Sequence, residues 1–137
     1  MSDVQISVHA RAGRQCASSG SKWEPILGYS RAVRSGNLIA VTGSVGVNAD
    51  GSYSESLAEQ TSRSLTIIQS AIEALGGKME QVIRTRIYVT DVSRWEEVAR
   101  AHGQVFGEIR PATTIVEVAR LIDDAALIEI EADAVVV

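Results

Sequence analysis

Residues 110 to 132 read RPATTIVEVARLIDDAALIEIEA, two β-type segments joined by a short acidic connection. In the first, Thr114, Val116 and Val118 alternate with Thr113, Ile115 and Glu117. In the second, Ile128, Ile130 and Ala132 alternate with Glu129, Glu131 and Asp133. Both have the period of two that marks a strand with unlike faces. Three acids on one face of the terminal strand cannot sit ionised and unpaired in an apolar core. That face must meet water, cations or another subunit, so this stretch is expected to hold both the sheet centre and the site.

Working back toward the N-terminus, VIRTRIYVT (residues 82 to 90) alternates in the same way, with Ile83, Thr85, Ile87 and Val89 opposite Arg84, Arg86, Tyr88 and Thr90. Cross-strand pairing of Arg84, Arg86 and Tyr88 with Glu129, Glu131 and Asp133 would neutralise the polar face. A helix is expected before it: Leu57, Thr61, Leu65, Ile68, Ile72 and Leu75 recur at helical steps, Ser56 and Glu59 form a capping-box pattern, and Gly76 and Gly77 end the run. A second helix is expected from Ser93, with Glu96 as its capping partner and Trp95, Val98, Ala99, His102, Val105 and Phe106 on its apolar stripe, to about Gly107. His102 reads as a core or boundary residue. Ahead of these lie a first strand within residues 4 to 9, a Gly/Ser-rich loop from Gly13 to Ser21, and a hairpin of Tyr29 to Arg34 and Leu38 to Thr42 turning at Ser35, Gly36 and Asn37. Pro25 is expected to hold Glu24 extended, with Gly28 loosening the chain before Tyr29.

The element order is that of an α+β fold, a mixed sheet with two helices on one face. The second, charged face and the sheet edges would be covered by assembly into a closed ring of subunits. At 137 residues the chain has the length of one domain; 45% hydrophobic and 22% charged residues are ordinary for a globular protein. A net charge of −4, no Lys/Arg tract and few aromatics disfavour a nucleic-acid partner. No apolar run reaches membrane-spanning length and no signal-peptide pattern opens the chain, so no membrane is expected and the default compartment is the cytoplasm. Cys16 is the single cysteine and His9 and His102 are the only histidines, so neither a disulfide nor a metal site is expected. Cys16 reads as an ordinary thiol. GSVGVNADG lacks the spacing of a phosphate-binding loop.

The segments GYSRAVRSGNLIAVTGS, AEQTSRSLTIIQSAIEALGG, QVIRTRIYVTDVSRW and RPATTIVEVARLIDDAALIEIEADAVV follow the order and spacing of a known family. Together they resemble the RidA/YjgF family of imine and enamine deaminases, formerly described as translation inhibitors or endoribonucleases. The resemblance implies a single chorismate-mutase-like domain over residues 1 to 137, assembled as a homotrimer around a central β-barrel, with a ligand cleft at each subunit interface. It implies hydrolysis of a 2-aminoacrylate or 2-imino acid to a 2-oxo acid and ammonia, a small-molecule metabolite as partner, and no cofactor or metal. The family's water-associated glutamate falls on Glu129, its cleft tyrosine on Tyr29, and its ligand-lining loop on Gly43 and Ser44.

One position departs from the pattern. The carboxylate-binding arginine of a P-A-R-[ST] motif is replaced by Thr113 in P-A-T-T. A hydroxyl donates one hydrogen bond and cannot pair with a carboxylate as a guanidinium does. Arg110, before Pro111, and Arg31, two residues after Tyr29, are the cations that could replace it; each reads first as a partner in a surface or interface salt bridge and second as the ligand's cation. Trp23 and Glu24 are candidates to line the cleft, although Trp23 reads rather as an aromatic plug on the sheet edge. Two expectations follow: hydrolysis of an imine, enamine or related small metabolite at a subunit interface, or a non-catalytic trimer of the same fold that binds a metabolite or another protein. Nuclease activity ranks third.

Overall fold

The computed structural model describes residues 3–137. One sheet of seven strands carries the chain: β1 (Ser7–Arg11), β2 (Arg14–Ser18), β3 (Ala32–Ser35), β4 (Leu38–Val45), β5 (Val82–Val89), β6 (Ala112–Glu117) and β7 (Ile128–Val135). They lie in the order β1-β2-β3-β4-β7-β5-β6. Every neighbouring pair is antiparallel except β5 and β6, which run parallel because α3 (Trp95–Phe106) makes the crossover between them. The mixed α+β sheet is therefore as the alternation implied. β7 lies inside it, between β4 and β5, while β6 is an edge.

Ile128, Ile130, Ala132 and Ala134 of β7 join Ile39 and Val41 of β4 and Ile87 and Val89 of β5 in one buried layer. Against it lies α2 (Leu57–Ala74), which buries Leu57, Leu65, Ile68, Ala71 and Ile72. The Ser56 hydroxyl accepts from the Glu59 amide at 3.2 Å and starts this helix, as its sequence predicts. From α3 come Val98, Ala101 and Phe106. Gln60, buried in α2, donates to the carbonyls of Ser54 and Ala125 and accepts from the Leu127 amide, which fixes the acidic connection leading into β7.

Several expectations are corrected. The first strand is Ser7–Arg11, and the supposed loop after it contains β2; Ala12 and Gly13, both at positive φ, make the tight hairpin turn. Glu24 is not extended: Trp23–Leu27 forms a short helix, α1, with Pro25 in its first turn, where a missing N–H costs nothing, and Gly28 in the left-handed conformation at its end. The strand expected from Tyr29 begins only at Ala32. A bulge between Val82 and Arg84 turns Val82 into the core and leaves Ile83 53% exposed, so Ile83 does not share a face with Ile87. The second capping box does not form. Asp91 instead accepts from the Ser93 amide and caps a 3-10 turn at Val92–Arg94, which rotates Trp95 off the stripe to 54% exposure.

On the helix-free face, β5 and β7 align Arg84 with Asp133, Arg86 with Glu131 and Tyr88 with Glu129. The contacts run diagonally: Arg86 pairs with Asp133 at 3.0 Å and the Tyr88 hydroxyl donates to Glu131. Burial of one Ile side chain is worth about 1.5–3 kcal/mol, whereas a part-exposed ion pair contributes roughly 0–1 kcal/mol. Ile130→Ala is therefore expected to lower unfolding free energy by about 2–5 kcal/mol and Asp133→Ala by less than about 1 kcal/mol in denaturant titrations. Equal losses would contradict this division of the two faces.

Candidate functional site

The helix-free face is polar because β7 has period two, and one of its acids is placed differently from the other two. The diagonal pairing uses Asp133 and Glu131 and leaves Glu129 with no cation from β5. On its other side Glu129 is in register with Val45, beyond the β4 bulge between Val41 and Ser44. That bulge brings Gly43 beneath the carboxylate: a Cβ built on Gly43 would stand 2.8 Å from the Glu129 Cδ. Any side chain there would force the Glu129 carboxylate to move. Burial pushes the Glu129 carboxyl above the ordinary value of 4.5 and Glu131 pushes it further, while Arg31 pulls it back.

Arg31 is 6% exposed and its guanidinium is committed within the protein. Nε donates to Ser19 Oγ at 3.3 Å, Nη1 to the Gly43 carbonyl at 2.9 Å and to Ser44 Oγ at 3.3 Å, and Nη2 to the Tyr29 hydroxyl at 3.1 Å. Its Nη2 also lies 3.9 Å from Glu24 Oε2. One cation thus joins Tyr29, Gly43 and Ser44, three of the residues singled out by sequence, and lends its charge to Glu129. Four of its five N–H groups are hydrogen-bonded within the protein, so Arg31 holds the rim of the site together.

Glu24 balances that charge. Burial acts to raise its carboxyl, but hydrogen bonds from the Ser19 and Ser18 hydroxyls and from the Ser19 and Ser21 amides outweigh it and hold it below its usual range. Sequence reading missed this role, although three serines within six residues of a glutamate were a signal that the loop could wrap a carboxylate. Trp23, the residue before it, stacks beneath the Lys22 ammonium at 4.9 Å. Cys16 is buried in β2 opposite His9, as an ordinary strand thiol.

The remaining two candidates lie elsewhere in the subunit. Thr113 is in register with Thr85, and their hydroxyls meet at 2.7 Å. Thr85 is fully buried beneath α3 and also contacts His102 Nε2 at 3.0 Å. Thr113 therefore points to the helix-bearing side, whereas Glu129 is on the opposite face and two strands away. Arg110, at φ 56°, donates from Nε to the Gly107 carbonyl at 3.1 Å and lines a groove of about 370 Å³ with Thr113, Pro111, His102 and Phe106. In this chain Tyr29, Arg31, Gly43, Ser44 and Glu129 come together; Arg110 and Thr113 do not join them. Among the described residues no group of His, Cys, Asp and Glu side chains is placed to hold a metal ion.

The raised Glu129 carboxyl has a consequence for stability. A carboxyl whose folded value lies above its unfolded one binds its proton more tightly in the native state, so stability falls as pH rises from about 4.5 through the folded value. Above that window the ionised group is a net cost. Glu129→Gln is expected to melt higher than wild type at pH 7, with the difference vanishing near pH 4. A Glu129→Gln protein that melts lower than wild type at pH 7 would contradict the burial argument.

Comparison with known proteins agrees with this architecture. The family model described as Endoribonuclease L-PSP matches residues 19–136, so β1 and β2 precede the matched region. A 2-iminobutanoate/2-iminopropanoate deaminase of Escherichia coli K12 is 35% identical over 111 residues, 78% of this chain and 86% of that protein. An uncharacterized Streptomyces coelicolor protein is 36% identical over 117 residues, 85% of this chain and 87% of its own length. Among solved structures, a YjgF/YER057c/UK114 family member from Mycobacterium tuberculosis superposes with a TM-score of 0.84 at 49% identity, covering 90% of this chain and 99% of that one. Escherichia coli TdcF with bound serine gives 0.74 at 27% identity, covering 78% and 87%. No helix among the described residues is long and apolar enough to cross a membrane. With its sheet order, its matched residues and its relatives in agreement, the chain belongs to the RidA/YjgF family, whose model carries the name Endoribonuclease L-PSP.

Proposed function

We propose that this chain is a single-domain, cytoplasmic subunit of a homotrimer that hydrolyses a reactive imine, enamine or related small metabolite at clefts between subunits. The observation that carries the reading is the isolation of Glu129: the acids beside it are paired, while its carboxylate is held over Gly43 with its proton affinity raised. A carboxylate whose proton affinity is raised in this way is suited to taking and returning a proton. Water adds to the C=N carbon as Glu129 takes one of its protons and passes it to nitrogen, giving the neutral carbinolamine. Glu129 then takes the carbinolamine hydroxyl proton as the carbonyl forms and the C–N bond breaks, and delivers this second proton to nitrogen, so that ammonia leaves. An enamine first shifts a proton to carbon and enters as the imine. Tyr29 and Ser44 would orient the substrate beside this water.

The separation of the two residue groups supports the interface: to serve the same ligand as Glu129, Arg110 and Thr113 would have to come from a second copy, and β6, which carries Thr113, is exposed along its whole length as a sheet edge. Likeness to the Escherichia coli deaminase and to TdcF with bound serine supports a small amino-acid-derived ligand. A net charge of −4 does not favour RNA as substrate. One observation favours a second reading, a trimer that binds a metabolite or a protein without turnover: Thr113 provides no guanidinium where a carboxylate would dock.

The test is hydrolysis of 2-iminobutyrate generated in situ. Wild type is expected to accelerate release of the 2-oxo acid, and Glu129→Gln to lose about 10²–10⁴-fold of that acceleration. Solution mass should be three times 14.6 kDa. No acceleration by wild type, with thermal stabilisation by small acids or amides, would establish the binding reading instead.

A further inference from the structure

Two residues that line the groove at the start of β6, His102 and Thr113, are joined beneath it by the buried Thr85, three neutral groups in a row. His102 Nε2 lies 3.0 Å from Thr85 Oγ1, which lies 2.7 Å from Thr113 Oγ1, which lies 3.2 Å from the Pro111 carbonyl. Each hydroxyl has one proton, so the chain can run in only two senses. If His102 carries its proton on Nε2, it donates to Thr85, Thr85 to Thr113, and Thr113 to Pro111 O or to a ligand. If that nitrogen is bare, Thr113 donates to Thr85, Thr85 donates to His102, and Thr113 presents a lone pair. Burial lowers the proton affinity of His102, which keeps the ring neutral and both senses available.

A carboxylate fits this row poorly. At Thr113 it would exchange its hydration for a single neutral donor, and the cation in the lining, Arg110, stands at the rim with its Nε given to the Gly107 carbonyl. An uncharged amide fits both senses, since it has a carbonyl to accept and N–H groups to donate. Phe106 and Pro111 give the groove apolar walls, and Gly103 and Gly107 keep its mouth free of side chains. Arg110 lies at its rim in a left-handed backbone conformation, one that glycine adopts without strain. Its amide closes the end of α3 on the Phe106 carbonyl at 2.8 Å.

We propose that His102, Thr85 and Thr113 form a neutral relay that selects ligands presenting a carboxamide, in place of a carboxylate, to the groove beside Arg110. The inference rests on the interface-cleft reading above and narrows its substrate class to amides of small 2-imino or 2-oxo acids. Thr113 touches the ligand; Thr85 and His102 act through it as positioning residues.

The experiment compares binding of 2-oxobutanamide and 2-oxobutyrate to the intact oligomer by titration calorimetry. Wild type is expected to bind the amide at least about tenfold more tightly, roughly the worth of one satisfied hydrogen bond. Thr113→Val should abolish that preference and Thr113→Arg should reverse it. His102→Phe should weaken amide binding, while His102→Gln, which still meets the Thr85 hydroxyl, should retain it. Wild type that binds the acid as tightly as the amide, or binds neither, overturns the proposal, as does a Thr113→Val protein with unchanged amide affinity. Turnover is not part of this readout, so selective amide binding by a protein that hydrolyses no imine sinks the hydrolysis reading and leaves the relay standing.

Discussion

Strand β7 has to satisfy two environments at once, and that constraint organises the molecule. Its isoleucines and alanines are fully buried beneath the helices, while Glu129, Glu131 and Asp133 leave by the opposite face. Because side chains alternate strictly along a strand, moving one set would move the other. The acids must therefore be compensated on the helix-free face. Strand β5 supplies Arg86 and Tyr88 for two of them, and the diagonal offset of those contacts leaves Glu129 to the β4 bulge and Arg31. The fold and the placing of the Glu129 carboxyl have one origin.

Much of the architecture was legible because it depends on period and capping. The buried and polar faces of β7, the extent of α2 from its Ser56 cap, and the turn at Gly36 follow from residues adjacent in sequence. What escaped depends on geometry that periodicity does not encode. The bulge in β5 moves Ile83 out of phase without any glycine or proline to mark it. Asp91 competed successfully with Ser93 for the start of the α3 region, because its side chain reaches the Ser93 amide and holds a 3-10 turn there. The N-terminal hairpin turns on Ala12, a residue type that rarely takes positive φ.

The site was legible residue by residue but not in its assembly. Glu129, Tyr29, Gly43 and Ser44 come together as expected, and the alternation of Tyr29 with Arg31 brings those two side chains into contact. Arg31 was a candidate for the ligand's cation. The structure ties each of its nitrogens to the protein, and its counter-charge Glu24 comes from a helix the sequence did not suggest. Thr113 could be recognised as a substitution, yet only coordinates show it joined to Thr85 and His102 on the helix-bearing side. These partners are 28 and 11 residues away in sequence, and their meeting depends on the parallel register of β5 with β6.

The central claim is that Glu129 works with Arg110 and Thr113 of a neighbouring copy. Its most direct test is complementation: Glu129→Gln and Arg110→Ala subunits, each assembled alone and then refolded as a mixture, assayed for imine hydrolysis. A shared site predicts that each variant is impaired alone and that mixed oligomers regain activity, since some clefts then combine an intact Glu129 with an intact Arg110. Mixed oligomers, verified by mass, that stay as impaired as the separate variants would contradict it.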